Sequence, residues 1–521
     1  MIRPIVLPAF LFLLFSSCNQ TTSDEVGAPP LPDDSTSQYW DAALKPFYHS
    51  VASGDPLPDR VIIWTRVTPE KVRPIDVSWR VAIDEAMENV VQEGEATTTK
   101  ERDFTVKVDV NGLEPDTEYY YQFSALGADS PVGHTKTAPA SAVDSVRFAV
   151  VSCSNFEAGY FNAFADIART KDLDAVIHLG DYIYEYAPGG YGDTTLGRFH
   201  LPAKEIVSLE DYRTRYSLYR LDDDFQAAHR MHPFVTIWDD HEITNNSYET
   251  GAQNHQPDEE GDYQTRKSVA RQAYYEWLPV REGENSHLYR ELHFGNLVDL
   301  IMLDERLAGR SAQLDSISQP EYNSPERTML GEQQLAWFKN QLANSEAAWK
   351  VIGNQVIFSE LDFSWLRPNR PRNLDAWDGY PAEQQEIIDF LKENNIENVV
   401  FITGDTHTSW AFEVPESIEA YKADSTATVA VEFGTTSITS ANWDEGRPRE
   451  EVLQYEEKIT APENNPHLKY TNLRDHGYLL LALTPEEARA EWHFVETIRE
   501  PSSETYVGEV IRVKRGTEEL R

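Results

Sequence analysis

Cysteine is nearly missing from this 521-residue chain: Cys18 and Cys153 are the two it has. A disulfide framework is therefore excluded. Basic residues are also scarce, with 46 Lys and Arg against 87 Asp and Glu and a formal net charge of −41. Such a surface repels the phosphate backbone on which nucleic-acid affinity mostly rests, so no nucleic-acid-binding role is expected. No apolar run reaches the roughly 20 residues that cross a bilayer, which excludes a polytopic membrane protein. A Gly-x-Ser-x-Gly elbow, a phosphate-cradling P-loop and a dinucleotide fingerprint are absent as well. What remains is 40% hydrophobic and 11% aromatic, too apolar for a disordered acidic polymer and long enough for more than one structural unit.

The N-terminus carries Arg3, an apolar run from Ile5 to Phe15, then Ser16, Ser17 and Cys18. This pattern is an export signal, and it resembles a bacterial lipoprotein signal. The resemblance implies a signal peptide over 1–17, lipidation of Cys18 as a membrane anchor, and a cell-envelope lipoprotein on a periplasmic or outer face. Residues 18–40 are polar and rich in Ser, Thr, Pro and Asp, the composition of a flexible tether. A lipidated Cys18 leaves Cys153 unpaired, either as an inert buried thiol or as a ligand or nucleophile.

Over 41–141 the pattern has period two, as in Val106, Val108 and Val110 alternating with Lys107 and Asp109, with turn signals such as Asn111-Gly112 between runs. Short antiparallel strands in a sandwich follow. The run "LEPDTEYYYQFSA" resembles the end of a fibronectin type III domain, with Tyr119, Tyr121 and Phe123 in its core. Over 142–500 the class is α/β, with strand-length apolar runs alternating with amphipathic stretches such as Gly331 to Asn344 and Pro381 to Asn394. Residues 501–521 are expected to form a polar C-terminal tail.

The apolar runs share one feature: "RFAVVSCSN", "AVIHLGDYIYE", "FVTIWDDHE", "LIMLDER", "WKVIGNQ" and "NVVFITGDTH" each end in ligand-type residues. In α/β sheets, ligands gather outside the carboxyl ends of strands, so Cys153, Asp181, Tyr184, Asp240, His241, Asn354, Asp405 and His407 are expected at one site. Carboxylates and a thiolate about 5 Å apart repel by about 3 kcal/mol per pair at an effective dielectric near 20. Two or more cations, bridged by one carboxylate, would offset that and activate water.

The blocks "LGDYIYEY", "WDDHEITNN" and "TGDTHTSW" resemble the metallophosphoesterase motifs of the alkaline phosphatase D family, and further family-like runs extend the similarity from about Phe47 to Ala490. The resemblance implies a metallophosphoesterase-type four-layer αββα sandwich, two mixed sheets between helices, preceded by the fibronectin-like all-β domain. It implies hydrolysis of phosphate mono- and diesters by attack of a metal-bound hydroxide, with ferric iron and calcium as cofactors. Asp181 would bridge the metals; Cys153, Tyr184 and His407 would hold iron. Asp240, Asn354 and Asp405 would hold calcium, with Gln355 an alternative to Asn354. His241 would contact phosphate and assist the leaving group.

Other residues have weaker claims. Asp239 and Glu242 flank His241 and are expected to orient it. Arg306 is a candidate phosphate ligand, with a structural ion pair as the alternative. His178 is expected to be a satisfied core histidine, and His476 to have no functional role. Arg367, Arg370 and Arg372 form a basic island in an acidic chain, suited to guiding an anionic substrate. Two rival functions stand beside the main one: a dedicated phosphodiesterase or phospholipase-like hydrolase on the same scaffold, and a catalytically dead lipoprotein that binds a surface ligand.

Overall fold

The computed structural model describes residues 29–31, 34–282 and 287–521. The expected signal peptide, Cys18 and the start of the tether lie outside these residues. From Pro29 onward the chain is fastened to the body. Val72 N–H donates to the Pro29 carbonyl, buried Thr36 bonds Ser217 at 3.0 Å, and Trp40 stacks on Tyr48. The expectation of a free tether as far as residue 40 is corrected accordingly, because these side chains find partners within the body that a local composition count does not register.

Two mixed sheets organise the molecule. The first has nine strands, in the order Thr505–Lys514, Glu487–Val495, Gly477–Leu483, Val146–Val151, Ala175–His178, Pro233–Thr236, Val51–Leu57, Arg60–Arg66 and Thr105–Asn111. The second has seven: Arg290–Phe294, Val298–Met302, Trp349–Gly353, Val399–Thr403, Thr428–Gly434, Ser409–Pro415 and Leu468–Asn472. Each has a parallel centre, formed by Val146–Val151, Ala175–His178 and Pro233–Thr236 in the first, and by Val298–Met302, Trp349–Gly353 and Val399–Thr403 in the second. These are the unbroken apolar runs of the sequence, and they are buried almost throughout, as parallel strands covered on both faces must be.

Side-chain alternation then divides the second sheet's faces. Leu300, Val351 and Val400 share a core with Phe148, Val150 and Leu481 of the first sheet. Phe148 meets Phe294 edge-on at 4.9 Å, and Trp492 donates its indole N–H to the Gly434 carbonyl. Ile301, Ile352 and Phe401 face the other way, onto Phe338 and Leu342 of the helix Gly331–Asn344 and Ile387 and Leu391 of the helix Pro381–Glu393. Both helices lie where the sequence places them.

The N-terminal strands show a feature that local patterning does not foresee. Val51, Val61 and Ile63 pack across a core from Val77, Tyr119, Tyr121 and Phe123, but only the sheet bearing the latter set is separate. Val51–Leu57 pairs in parallel with Pro233–Thr236, so half of the expected sandwich is an extension of the nine-stranded sheet. Gly54 permits this seam, since a Cβ there would lie 2.4 Å from the Pro279 carbonyl oxygen and 2.5 Å from that of Phe234. The expected polar tail is also corrected: Thr505–Lys514 is an edge strand. Ile511 and Val513 alternate into the core there, while its polar residues face water.

A candidate metal centre at the strand ends

The carboxyl ends of both parallel centres converge. Cys153 follows Val146–Val151, Asp181 follows Ala175–His178, and Asp240 and His241 follow Pro233–Thr236; Asp405 and His407 follow Val399–Thr403 in the other sheet. Ligand atoms of Cys153, Asp181 and His407 lie within 4.8 Å of one another, and so do those of Asp181, Asp240 and His241. Asp181 belongs to both groups. Tyr184 joins the first group: its hydroxyl donates to Asp181 Oδ2 at 2.8 Å and lies 3.4 Å from His407 Nε2.

Local backbone geometry explains how short turns bring these side chains together. Cys153, Asp181, Asp405 and His407 all have φ between 55° and 65°, a region that costs a non-glycine residue about 1 kcal/mol or more. Gly180 precedes Asp181 with φ of 109°, and a Cβ there would approach Asp239 N to 2.3 Å. Glycine is required for both reasons. The strained turns are fixed by hydrogen bonds: Cys153 N–H donates to the Gly180 carbonyl at 3.1 Å, and the Cys153 carbonyl accepts from Ser440 N–H and Oγ. Glu242 accepts from the amides of Asp181, Tyr182 and Asp239 at 3.2, 2.6 and 2.9 Å.

The donor chemistry fits cations. Burial, then the neighbouring Asp181 charge, raises the Cys153 thiol well above its ordinary range. Burial, Asp181 and Cys153 do the same to the Tyr184 hydroxyl, and burial raises the carboxyls of Asp181 and Asp405. A cation among these groups would oppose those shifts and favour their ionised forms. His407 is prepared as a neutral donor, with burial lowering it to about 4. Its Nδ1 faces the Ala441 carbonyl at 3.0 Å, which leaves Nε2 toward Tyr184.

His241 has the opposite character. Burial alone would lower it, but Glu185, Asp240 and Asp181 outweigh that and raise the imidazole well above its ordinary value. Its Nδ1 is 2.6 Å from Glu185 Oε2, while Nε2 lies 4.0 Å from Asp240 Oδ1. Glu185 is therefore the residue that orients the histidine. Glu242 organises the Asp181 turn and Asp239 pairs with Arg306, which corrects the expectation that these two flanking acids hold the ring.

Of the two roles weighed for Arg306, the structure shows the ion pair. Arg306 is fully buried, with Nε on Asp239, Nη1 on Asp375 at 2.9 Å and Nη2 on Asp405 at 3.2 Å. Its fork is occupied by carboxylates and is not available to phosphate. Instead it supplies the fixed positive charge that helps lower Asp240 against the opposing effect of burial. Asn354 sits at the end of Trp349–Gly353, its backbone N–H donating to the Ile402 carbonyl, its Nδ2 to the Val356 carbonyl, and its Oδ1 accepting from Trp377 at 3.2 Å. Gln355 is committed to the backbone of Glu305 and Leu303 at 2.8 and 2.7 Å. His178 is a buried core histidine bonded to Ser154, and His476 is paired with Glu445 and Ser437.

Known proteins resemble this chain. The family model for PhoD-like phosphatase matches residues 148–492, and that for the PhoD-like phosphatase N-terminal domain matches 34–139. The chain belongs to the PhoD-like phosphatase family. Alkaline phosphatase D of Bacillus subtilis (strain 168) is 37% identical over 479 residues, covering 88% of this chain and 79% of that protein. The solved structure of PhoD superposes with a TM-score of 0.82 at 34% identity, covering 92% of each chain. In this PhoD-like chain, sequence reasoning missed Glu185, Ser440 and Asp375. Of these, Glu185 alone lies within a block, "LGDYIYEY", that could have signalled it.

Proposed function

We propose that this PhoD-like protein is an exported, metal-dependent phosphatase and phosphodiesterase of the alkaline phosphatase D type, hydrolysing phosphate mono- and diesters. Family membership and the similarity to a protein named alkaline phosphatase D support phosphoric-ester hydrolysis. The observation that carries the metal dependence is the buried convergence of thiol, phenol, carboxylate and imidazole donors around Asp181. The reading assigns ferric iron to Cys153, Asp181, Tyr184 and His407, because a phenolate suits a hard trivalent ion. It assigns calcium to Asp240, Asn354 and Asp405, which offer oxygen alone. Bound cations would supply Lewis acidity to the phosphoryl oxygens and to water.

The chain's own residues do the rest. Asp181 ties the two donor groups together, and Arg306 holds Asp239, Asp375 and Asp405 in place. His241, oriented by Glu185, which also raises its imidazole against burial, would touch a phosphate oxygen through Nε2 and could pass a proton to the departing alkoxide. The scaffold in this reading is the two-sheet metallophosphoesterase sandwich. Export through 1–17 and lipidation of Cys18 are part of the proposal, and the mass of the mature N-terminus tests them.

Metal analysis and phosphoester assays on the purified protein test the site. Cys153→Ala and Tyr184→Phe each lower iron content and weaken the visible charge-transfer absorption, whereas His241→Ala keeps its metal and slows turnover of nitrophenyl mono- and diesters about 10²-fold or more. A protein without iron and without that absorption would refute the ligand scheme.

A further inference from the structure

A cavity of about 410 Å³ opens beside Asp405 and Thr406, immediately next to the candidate metal centre. One wall is the segment that carries the basic island, and Phe363 and Trp443 stand against it with rings 6.4 Å apart and inclined by 27°. We propose that this cavity receives the alcohol side of the substrate and selects organic phosphates whose alcohol carries a second anionic group. The proposal rests on the phosphoesterase reading above and deepens it.

The charge inventory of the lining supports this. Arg372 is engaged by Glu360. Arg367 and Arg370 are exposed, and among the described residues neither has an ion-pair partner. The guanidinium of Arg367 is held 5.9 Å from both the Phe363 and Trp443 rings, a cation–π seat that positions it without consuming its N–H donors. The acids of the lining are Asp405, assigned to cations; Asp378, raised to about 8 by burial and hence protonated at neutral pH; and exposed Asp315. Two unpaired arginines therefore face one ionised acid, in a chain of net charge −41.

The reacting phosphate does not account for these arginines, because the strand-end cluster serves it. A second anion on the alcohol, a phosphate or a carboxylate, gives both guanidinium groups a partner and leaves its carbon framework against Phe363 and Trp443.

Two near-isosteric substrates test this: 4-carboxyphenyl phosphate and 4-carbamoylphenyl phosphate. The amide withdraws more electron density and is the better leaving group, so chemistry alone favours the neutral compound. The holoenzyme is expected to prefer the carboxylate by about tenfold in kcat/KM, the sum of two modest charge contacts. The double variant Arg367→Gln/Arg370→Gln should abolish that preference. Lys339→Gln, which alters a cation paired with Glu386 outside the lining, should retain it. A ratio of one or less in the wild-type enzyme, or a ratio unchanged in the double variant, would overturn the proposal. Turnover of neither compound would overturn the phosphoesterase reading, and this inference with it.

Discussion

At the scale of single residues, the site is built from conformations that side chains ordinarily avoid. Cys153, Asp181, Asp405 and His407 all sit at positive φ, which persists because surrounding hydrogen bonds over-determine the turns. Cys153 makes this measurable. Cys153→Ala and Cys153→Gly both remove the thiol, but only glycine relieves a φ of 59°. In metal-free protein, urea denaturation is expected to find the glycine variant more stable than the alanine variant by about 1 kcal/mol. Equal stabilities would show that the turn is not strained. The ligand types at this scale were legible in the sequence, because each strand run ends in one. Their supports were not: Ser440 bonds Tyr184 across 256 positions, and no local pattern encodes such a contact. The choice between the two roles weighed for Arg306 was closed to the sequence for the same reason, since its three carboxylates come from distant segments.

At the scale of elements, strand identity was readable from alternation and apolar runs, whereas pairing was not. Period-two patterning establishes that Val51–Leu57 is a strand, but it is silent on whether the strand belongs to a free sandwich or to the catalytic sheet. The observed register, Ser53 opposite Pro233 and Gly54 opposite Phe234, places it in the latter. The backbone at Gly54 is in close contact with two carbonyls, so Gly54→Ala must push the strands apart. A loss of about 1–3 kcal/mol is expected in chemical denaturation, typical of overpacking in a closed core. Because Pro233–Thr236 leads directly to Asp240 and His241, the same variant should also lower turnover. A variant with wild-type stability and activity would mean the seam yields without cost.

At the scale of the whole molecule, two kinds of acid act on stability, and they respond to different conditions. The surface holds most of a net charge of −41, whose self-repulsion is screened by salt. Inside, burial raises Asp378 and Glu305 to about 8, far above their values in an unfolded chain. A carboxyl whose folded value is raised binds its proton more tightly in the native state. Its contribution is fully present below about pH 4, the unfolded range, and is lost as pH rises through about 8 for these two groups. Each such group adds a downward slope of up to about 1.4 kcal/mol per pH unit between about pH 5 and pH 8, opposed below about pH 6.5 by buried histidines such as His178 and His407, which burial lowers to about 3 and about 4. Salt separates the two causes: near 0.5 M NaCl the surface repulsion is largely screened while the buried slope remains. Asp378→Asn keeps an acceptor for the Leu361 amide and removes one titrating group, so its stability at high salt should fall less steeply with pH than that of the wild-type protein. Identical slopes would mean that Asp378 is already ionised in the folded state, which would place a third acid in the cavity beside Asp405.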